Sequence, residues 1–67
     1  MDAMRFGTNV KQIREVLGLS QRQVAERADT TGATISRIEA GLVSPSMDSA
    51  CKIADALGVS LDRLLRV

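Results

Sequence analysis

The segment from Ser20 to Gly41, SQRQVAERADTTGATISRIEAG, carries the start and stop signals of two short helices. Ser20 and Gln23 have the spacing of a capping box, in which each side chain satisfies a backbone N–H at the start of a helix. Thr31 can cap the second helix, and Gly41 can end it. Isolated helices of fewer than about 12 residues are marginal in water. The sequence therefore predicts that packing against the rest of the chain holds both helices.

Three further helices are predicted around this pair, because apolar residues recur at helical spacing along nearly the whole chain. Gly18 and Gly58 stand where helices end, and Ser46 and Ser60 stand where helices begin. No segment has the alternating pattern of a strand. The predicted fold is all-α, a single domain over residues 1–67 with five short helices around one core. In helix order, the predicted inward-facing residues are Phe6, Val10, Ile13 and Leu17; Val24, Ala25 and Ala28; Ile35 and Ile38; Ala50, Ile53, Ala54 and Leu57; and Leu61, Leu64 and Leu65.

The connection between the second and third helices is the polar run Asp29-Thr30-Thr31. It suits a tight turn from which the third helix leaves at a steep angle, and Asp29 is a tolerable residue for positive φ at such a turn. Two short helices at roughly 90–120° across a turn of this length form the helix-turn-helix geometry. In that geometry the second helix of the pair projects and can enter a DNA major groove, which is about 12 Å wide.

The composition argues against catalysis and against metal binding. The 67 residues include nine basic and eight acidic side chains, so any basic patch must arise from the way the fold sorts them. The chain has no histidine and one cysteine, which leaves no nucleophile–base arrangement and disfavours a zinc site. Phe6, the only aromatic residue, belongs to the core stripe, so stacking on single-stranded bases is not expected. We therefore predict no enzymatic activity, no cofactor and no metal.

Nothing in the sequence indicates a membrane protein. No run of about 18 apolar residues is present, and the start MDAMRFGTNVKQ lacks the apolar region of a signal peptide. A lone cysteine fits a reducing compartment. A cytoplasmic location without membrane association is predicted, with Cys51 as a small, semi-buried apolar residue.

The run LSQRQVAERADTTGATISRIEAG, followed by SPSMDSACKIADALGVSLDRLL, resembles the phage-repressor and Cro type of helix-turn-helix family, the XRE family of lambda-repressor-like domains. The matching pieces are LSQ, VA, TIS, RIEAG and IADALGVSLDRLL, in the family's order and spacing. The resemblance covers Phe6 to Leu65. It implies a compact five-helix domain that binds double-stranded DNA, usually as a dimer on a pseudo-palindromic operator, with helices two and three as the helix-turn-helix.

The resemblance also implies which residues meet the bases and the phosphates. Arg37 is the residue best suited to direct readout, since an arginine can bind guanine in a bidentate manner and discriminate by about 1–3 kcal/mol. Gln21 matches a position that typically contacts a phosphate with help from a helix N-terminus; Arg22 and Arg27 are phosphate candidates on the exposed face of helix two. The predicted base-edge residues are Thr31, Gly32, Ala33, Thr34 and Arg37, and the predicted phosphate contacts are Ser20, Gln21, Arg22 and Ser36.

Two structural roles follow from the same resemblance. Arg14 and Glu39 match a family ion pair between helix one and the end of helix three. Dimer contacts in the family lie near the start of helix four and the junction with helix five. In this chain those positions are Met47, Val59, Ser60 and Leu61. We expect weak association that strengthens on adjacent half-sites.

The chain departs from the family pattern at the reading positions. Asp29 occupies a turn position that is usually glycine in the family. Thr30 occupies the next position, which is often apolar. Gly32 and Ala33 have no side-chain donor, so Ala33 can offer a base only a contact with a thymine methyl group. The loop residues 42–44, Leu-Val-Ser, lack the basic side chains that relatives often place there. These departures predict modest monomer affinity and a shallow salt dependence.

Two functional hypotheses remain from the sequence. The first is a transcriptional regulator, in particular a repressor that binds its operator as a dimer. The second is an antitoxin-like or adaptor module that reuses the fold to bind another protein. Leu42 and Val43 keep the second hypothesis open, because they either pack against the core or form an exposed association surface. Arg37 has a simpler alternative as a solvated arginine on the helix face.

Overall fold

Five α-helices and their connections make up the structure, a computed structural model that describes residues 2–66. The helices are α1 (Ala3–Val16), α2 (Gln21–Arg27), α3 (Gly32–Glu39), α4 (Met47–Leu57) and α5 (Leu61–Leu65). No strand is formed within the described part of the chain, and no helix there is long and apolar enough to span a membrane. The predicted all-α fold with five helices is confirmed.

The helix boundaries follow the local capping signals. The Ser20 side chain accepts the backbone N–H of Gln23 at 3.0 Å, and the Gln23 side chain accepts the N–H of Ser20 at 2.8 Å, which completes the capping box. Gly18, Gly41 and Gly58 adopt φ values of 72°, 73° and 70° at the ends of α1, α3 and α4. Glycine enters this left-handed region without the steric cost that a Cβ brings. The predicted starts and stops are therefore correct.

The core lies where all five helices meet. α1 packs against α3 and α5, and α2 packs against α3 and α4. Asn9, a buried polar residue of α1, donates from its side-chain amide to the backbone oxygens of Leu64 at 2.8 Å and Arg66 at 2.6 Å. Asn9 thereby ties α1 to the end of α5. The largest fully buried side chains are Phe6, Val10, Val24, Ile35, Ile38, Ile53 and Leu64.

Three predictions of burial are wrong. Leu17 is 51% exposed because α1 ends at Val16, so the helical stripe no longer continues there, and Leu19 packs against the core instead. Leu65 is 38% exposed, because the five-residue α5 turns Leu64 inward. Cys51 is exposed, because it follows the buried Ala50 by one residue, or about 100° around α4.

α1 and α3 approach each other closely at Gly7. A Cβ atom at Gly7 would overlap the carbonyl oxygen of Ile38 and lie 3.0 Å from its carbonyl carbon. Glycine is therefore needed at position 7 for the backbone of α1 to approach the backbone of α3 this closely at Ile38. The close contact at Gly7 therefore determines how α3, the predicted reading helix, packs against α1.

Candidate nucleic-acid interface

The turn between α2 and α3 has the predicted tight geometry. Asp29 adopts a φ of 58°, as the only non-glycine residue with positive φ among residues 2–66. The backbone N–H of Thr30 donates to the carbonyl of Ala25 at 2.9 Å, which closes the end of α2. Asp29 thus takes the conformation that a glycine usually supplies at a helix end. The chain leaves this turn directly into α3, whose N-cap is Thr31.

Thr31 and Thr34 share their hydroxyl groups at the start of α3. The Thr31 oxygen accepts the backbone N–H of Thr34 at 3.2 Å, and the two hydroxyl oxygens lie 3.0 Å apart. One hydroxyl must donate to the other, so the pair retains one O–H for an outside acceptor. Thr31 is exposed and Thr34 is half-buried.

The outer face of α3 carries small residues and one arginine. Ala33, Ser36 and Arg37 are exposed, whereas Ile35 and Ile38 are buried on the opposite face. Arg37 forms no ion pair or side-chain hydrogen bond with any residue from 2 to 66. Its guanidinium, with five N–H donors, is therefore available to an external acceptor.

Gly32 differs from its neighbours on α3 because it faces α2. A Cβ built at Gly32 would lie 3.9 Å from the Cα atom of Arg22, in ordinary van der Waals range. Gly32 is half-buried. Its position thus belongs to the contact between the two helices, and its backbone is the part that remains for a ligand.

A buried hydrogen-bond network joins α1, α2 and α3. Arg14 Nε donates to Glu39 Oε2 at 2.7 Å, and Arg14 Nη2 donates to Glu39 Oε1 at 3.1 Å. Gln21 Nε2 donates to the same Oε1 at 3.0 Å, and Arg14 Nη1 donates to the carbonyl of Leu19 at 2.8 Å. The expected Arg14–Glu39 ion pair is formed, with side chains only 12% and 4% exposed.

The electrostatics of this pair favour the charged arginine. The hydrogen bond to Glu39 raises the pKa of Arg14, while burial partly opposes the rise. Arg14 therefore stays protonated at every physiological pH, and Glu39 keeps its partner. The network also attaches the start of α2 to α3, because the Gln21 amide donates one N–H to Glu39. The second N–H of that amide has no part in this bond.

The other predicted phosphate contacts of α2 point to solvent. Arg22 is exposed and lies 3.7 Å from Glu26, a distance typical of a weak surface pair. Ser20 is exposed and uses its oxygen in the capping box, which leaves its hydroxyl hydrogen for an acceptor. Arg27 lies elsewhere, in a groove beside Asp55 and Gly58 at the end of α4. The structure thus separates Arg27 from the other candidates.

Lys11 is a basic residue near this face that is not among the predicted contacts. Lys11 lines a groove between α1 and α3 together with Gln21 and Ser36. The signal available in the sequence was its position three residues before Arg14, on the stripe of α1 that turns toward α3. Exposed lysines are so common in helices that this spacing alone does not indicate a binding role for Lys11.

The predicted dimer contacts do not form one patch. Met47 is 61% exposed at the start of α4. Val59 and Leu61 are half-buried against the core beyond the other end of that helix, and Ser60 caps α5. An 11-residue helix is about 16 Å long. Met47 is therefore separated from the other three residues, because they lie at opposite ends of α4.

Comparisons with known proteins agree with this geometry. A helix-turn-helix family model matches residues 10–64. A curated relative from Methanothermobacter thermautotrophicus, an uncharacterized HTH-type transcriptional regulator, is 45% identical over 51 residues, which cover 76% of this chain and 74% of that protein. The HTH-type transcriptional regulator PuuR of Escherichia coli is 40% identical over 55 residues, 82% of this chain but 30% of PuuR.

A solved structure has the same arrangement of helices. The restriction-modification controller protein C.AhdI of Aeromonas hydrophila superposes with a TM-score of 0.90 at 27% identity, covering 94% of this chain and 96% of C.AhdI. The family and these relatives are regulators and not enzymes. The chain belongs to the XRE-type helix-turn-helix family and carries the DNA-binding domain of a transcriptional regulator.

Proposed function

We propose that this chain is a sequence-specific repressor that acts in the cytoplasm and binds a pseudo-palindromic operator as a dimer. The observation that carries the proposal is the outer face of α3, where Arg37 has no partner among the described residues and small neighbours leave room for a base pair. The turn at Asp29 and the crossing at Gly7 hold this face clear of the other helices.

Base recognition rests mainly on Arg37. Its fork of donors fits the O6 and N7 acceptors of guanine in the major groove. The Thr31–Thr34 pair supplies one further donor, and Ala33 supplies a methyl contact for thymine. Gly32 faces α2, so it can offer the DNA only its backbone at the start of α3.

Phosphate contacts position this reading face on the duplex. Ser20 and Arg22 lie exposed at the start of α2, and Ser36 lies exposed on α3. Gln21 contributes its second amide N–H, while its first is held by Glu39. These contacts carry no sequence information themselves, but they fix the register in which Arg37 meets the bases.

The dimer is proposed to be weak in solution and stronger on DNA. Two copies on half-sites one helical turn apart, about 34 Å, would double the reading positions. Met47 offers exposed apolar area for this contact, whereas Val59 and Leu61 are partly buried against the core. Met47 is therefore the favoured contact of the four.

A protein-interaction function is the second candidate. The loop between α3 and α4 exposes Leu42, at 74%, and Val43, and the exposed Met47 follows a few residues later. The sequence leaves Leu42 and Val43 open between core and surface, and both side chains are exposed. Exposed apolar residues grouped along one segment are typical of association sites.

A binding selection from a randomised duplex pool separates the two functions. The pool is incubated with the protein near physiological salt and again at lower salt. Enrichment of a two-fold symmetric motif with a guanine in each half-site supports the repressor. Binding at low salt alone, with no motif enriched, reflects charge attraction only. That result would favour the interaction module.

A further inference from the structure

The groove between α1 and α3 contains a basic residue that no structural contact uses. It is lined by Lys11, Arg14, Gln21, Ser36, Glu39 and Ala40. Lys11 forms no ion pair with any carboxylate from residues 2 to 66, not even with Glu15 one turn further along α1. Resting on the proposed DNA-binding function, we infer that the Lys11 ammonium contacts a DNA phosphate, extending the interface from the helix-turn-helix onto α1.

The direction of Lys11 follows from its neighbours on α1. Gly7, four residues before it, meets the backbone of α3 at Ile38. Arg14, three residues after it, reaches the Glu39 carboxylate at the end of α3. Residues spaced by three and four share one face of a helix. Lys11 therefore lies on the α1 face that turns toward α3, at the rim of their contact.

The charges in the groove favour an anion. Among residues 2–66, Glu39 is the only acid that lines it, and both of its oxygens already accept hydrogen bonds from Arg14 and Gln21. With Arg14 neutralised by Glu39, the groove keeps the positive charge of Lys11. Arg14 cannot bind a further anion well because its side chain is almost fully buried. Among residues 2–66, Lys11 is thus the one cation lining the groove that has no ion-pair partner.

The position of Lys11 beside two other donors points to phosphate rather than to a protein carboxylate. Ser36 lines the same groove, and its side chain makes no hydrogen bond with any described residue. Gln21 lines this groove too, and one of its two amide N–H groups is not used by Glu39. Phosphodiester oxygens repeat along a strand, so one backbone passing over this groove can meet all three donors. The three come from α1, α2 and α3.

The salt dependence of binding tests this inference. Wild type, Lys11→Gln, Lys11→Arg and Arg63→Gln are titrated against a fluorescein-labelled duplex of mixed sequence and against the duplex selected from the pool, over a range of salt concentrations. Arg63 is the matched control, because it also forms no ion pair within residues 2–66 but lines a groove on the α5 side of α1, beside Gln12 and Val16. Circular dichroism melts and sedimentation confirm that each variant keeps the fold and assembly of wild type.

Lys11→Gln is expected to reduce the slope of log affinity against log salt by about one. The same loss weakens binding about fivefold near physiological salt, equally for both duplexes. The enriched motif stays the same, Lys11→Arg restores the slope, and Arg63→Gln matches wild type. An unchanged slope in Lys11→Gln, or an equal fall in Arg63→Gln, would overturn the contact. An altered motif would replace the phosphate contact with a base contact and overturn it as well.

Failure of the underlying function looks different. If wild type binds neither duplex at low salt, the DNA-binding proposal fails before any variant is compared, and the inference about Lys11 falls with it. If wild type binds with a preferred motif and Lys11→Gln does not differ from it, only the inference about Lys11 fails.

Discussion

The guanidinium of Arg14 donates to both carboxylate oxygens of Glu39, at 2.7 and 3.1 Å, in a site that is almost closed to water. This pair links α1 to the end of α3, and Gln21 attaches the start of α2 to the same carboxylate at 3.0 Å. One acid thus fixes three helices relative to one another. It thereby helps to orient α3, the proposed reading helix.

Removing one member of this pair is expected to destabilise the fold strongly. Arg14→Met leaves the buried Glu39 charge with only Gln21 as a hydrogen-bond donor, at a cost of about 3–5 kcal/mol. Replacing both residues, Arg14→Met with Glu39→Leu, removes the buried charge and recovers most of that loss. Urea unfolding followed by far-UV circular dichroism measures both, since the chain has no tryptophan or tyrosine.

An exposed ion pair provides the control for this measurement. Glu26→Gln breaks the surface pair with Arg22, and its effect should stay within about 0.5 kcal/mol. A double variant as unstable as Arg14→Met would show that the loss comes from packing and not from an unpaired buried charge.

Gly7→Ala is expected to destabilise the protein although alanine is the better helix former. The propensity gain of about 1 kcal/mol is set against a Cβ that would overlap the Ile38 carbonyl oxygen. Forcing the two backbones apart costs about 1–3 kcal/mol or more, as in other overpacked sites. Thermal melts of Gly7→Ala should show a net loss.

Gly32→Ala is the matched substitution on α3. Its Cβ would meet nothing closer than 3.9 Å, and Gly32 has no positive φ. The melting temperature should therefore hold or rise. Equal losses in Gly7→Ala and Gly32→Ala would mean that the close approach of α1 and α3 does not control stability.

Most of the fold could be predicted because its signals are local. The capping box at Ser20, the glycine at Gly41 and the turn at Asp29 each depend on residues within about one helical turn. Gly7 and Asn9 could not be predicted in this way. Gly7 is unfavourable inside a helix and Asn9 is ordinarily a surface residue, until α3 and α5 pack against them.

The candidate site divides along the same line. The positions of Arg37 and Ala33 on the outer face follow from helical spacing, and the Arg14–Glu39 pair followed from the resemblance. That Gln21 would bind Glu39 follows only from the packing of three helices. Arg27 has the charge of a phosphate contact, yet it lines a groove with Asp55 and Gly58, which are distant from it in sequence.

Arg37→Ala should relax base preference without a change in stability. The side chain is exposed and makes no contact within residues 2–66 that holds the fold. Loss of a bidentate arginine–guanine contact costs about 1–3 kcal/mol at the base pair concerned. Selection from the randomised pool should then lose the guanine in each half-site, while the melting temperature stays constant.

Arg27→Ala is the control for charge. It also removes one exposed arginine but lies in the groove beside Asp55, away from α3. Its selected motif should equal that of wild type. An unchanged motif in Arg37→Ala would show that Arg37 does not read a base in the DNA major groove.

The dimer contact can be tested at Met47. Met47→Glu puts a charge into the proposed apolar contact, so two copies lose mutual attraction on adjacent half-sites. Affinity for a duplex with two half-sites should fall about tenfold, within the usual coupling range of about 1–3 kcal/mol, while affinity for a single half-site holds.

Val16→Glu is the control, because Val16 is also apolar and is 86% exposed, but lies at the end of α1. Analytical ultracentrifugation should show wild type largely monomeric without DNA. A tight dimer there would contradict weak association, and an equal loss in both variants would place the contact elsewhere.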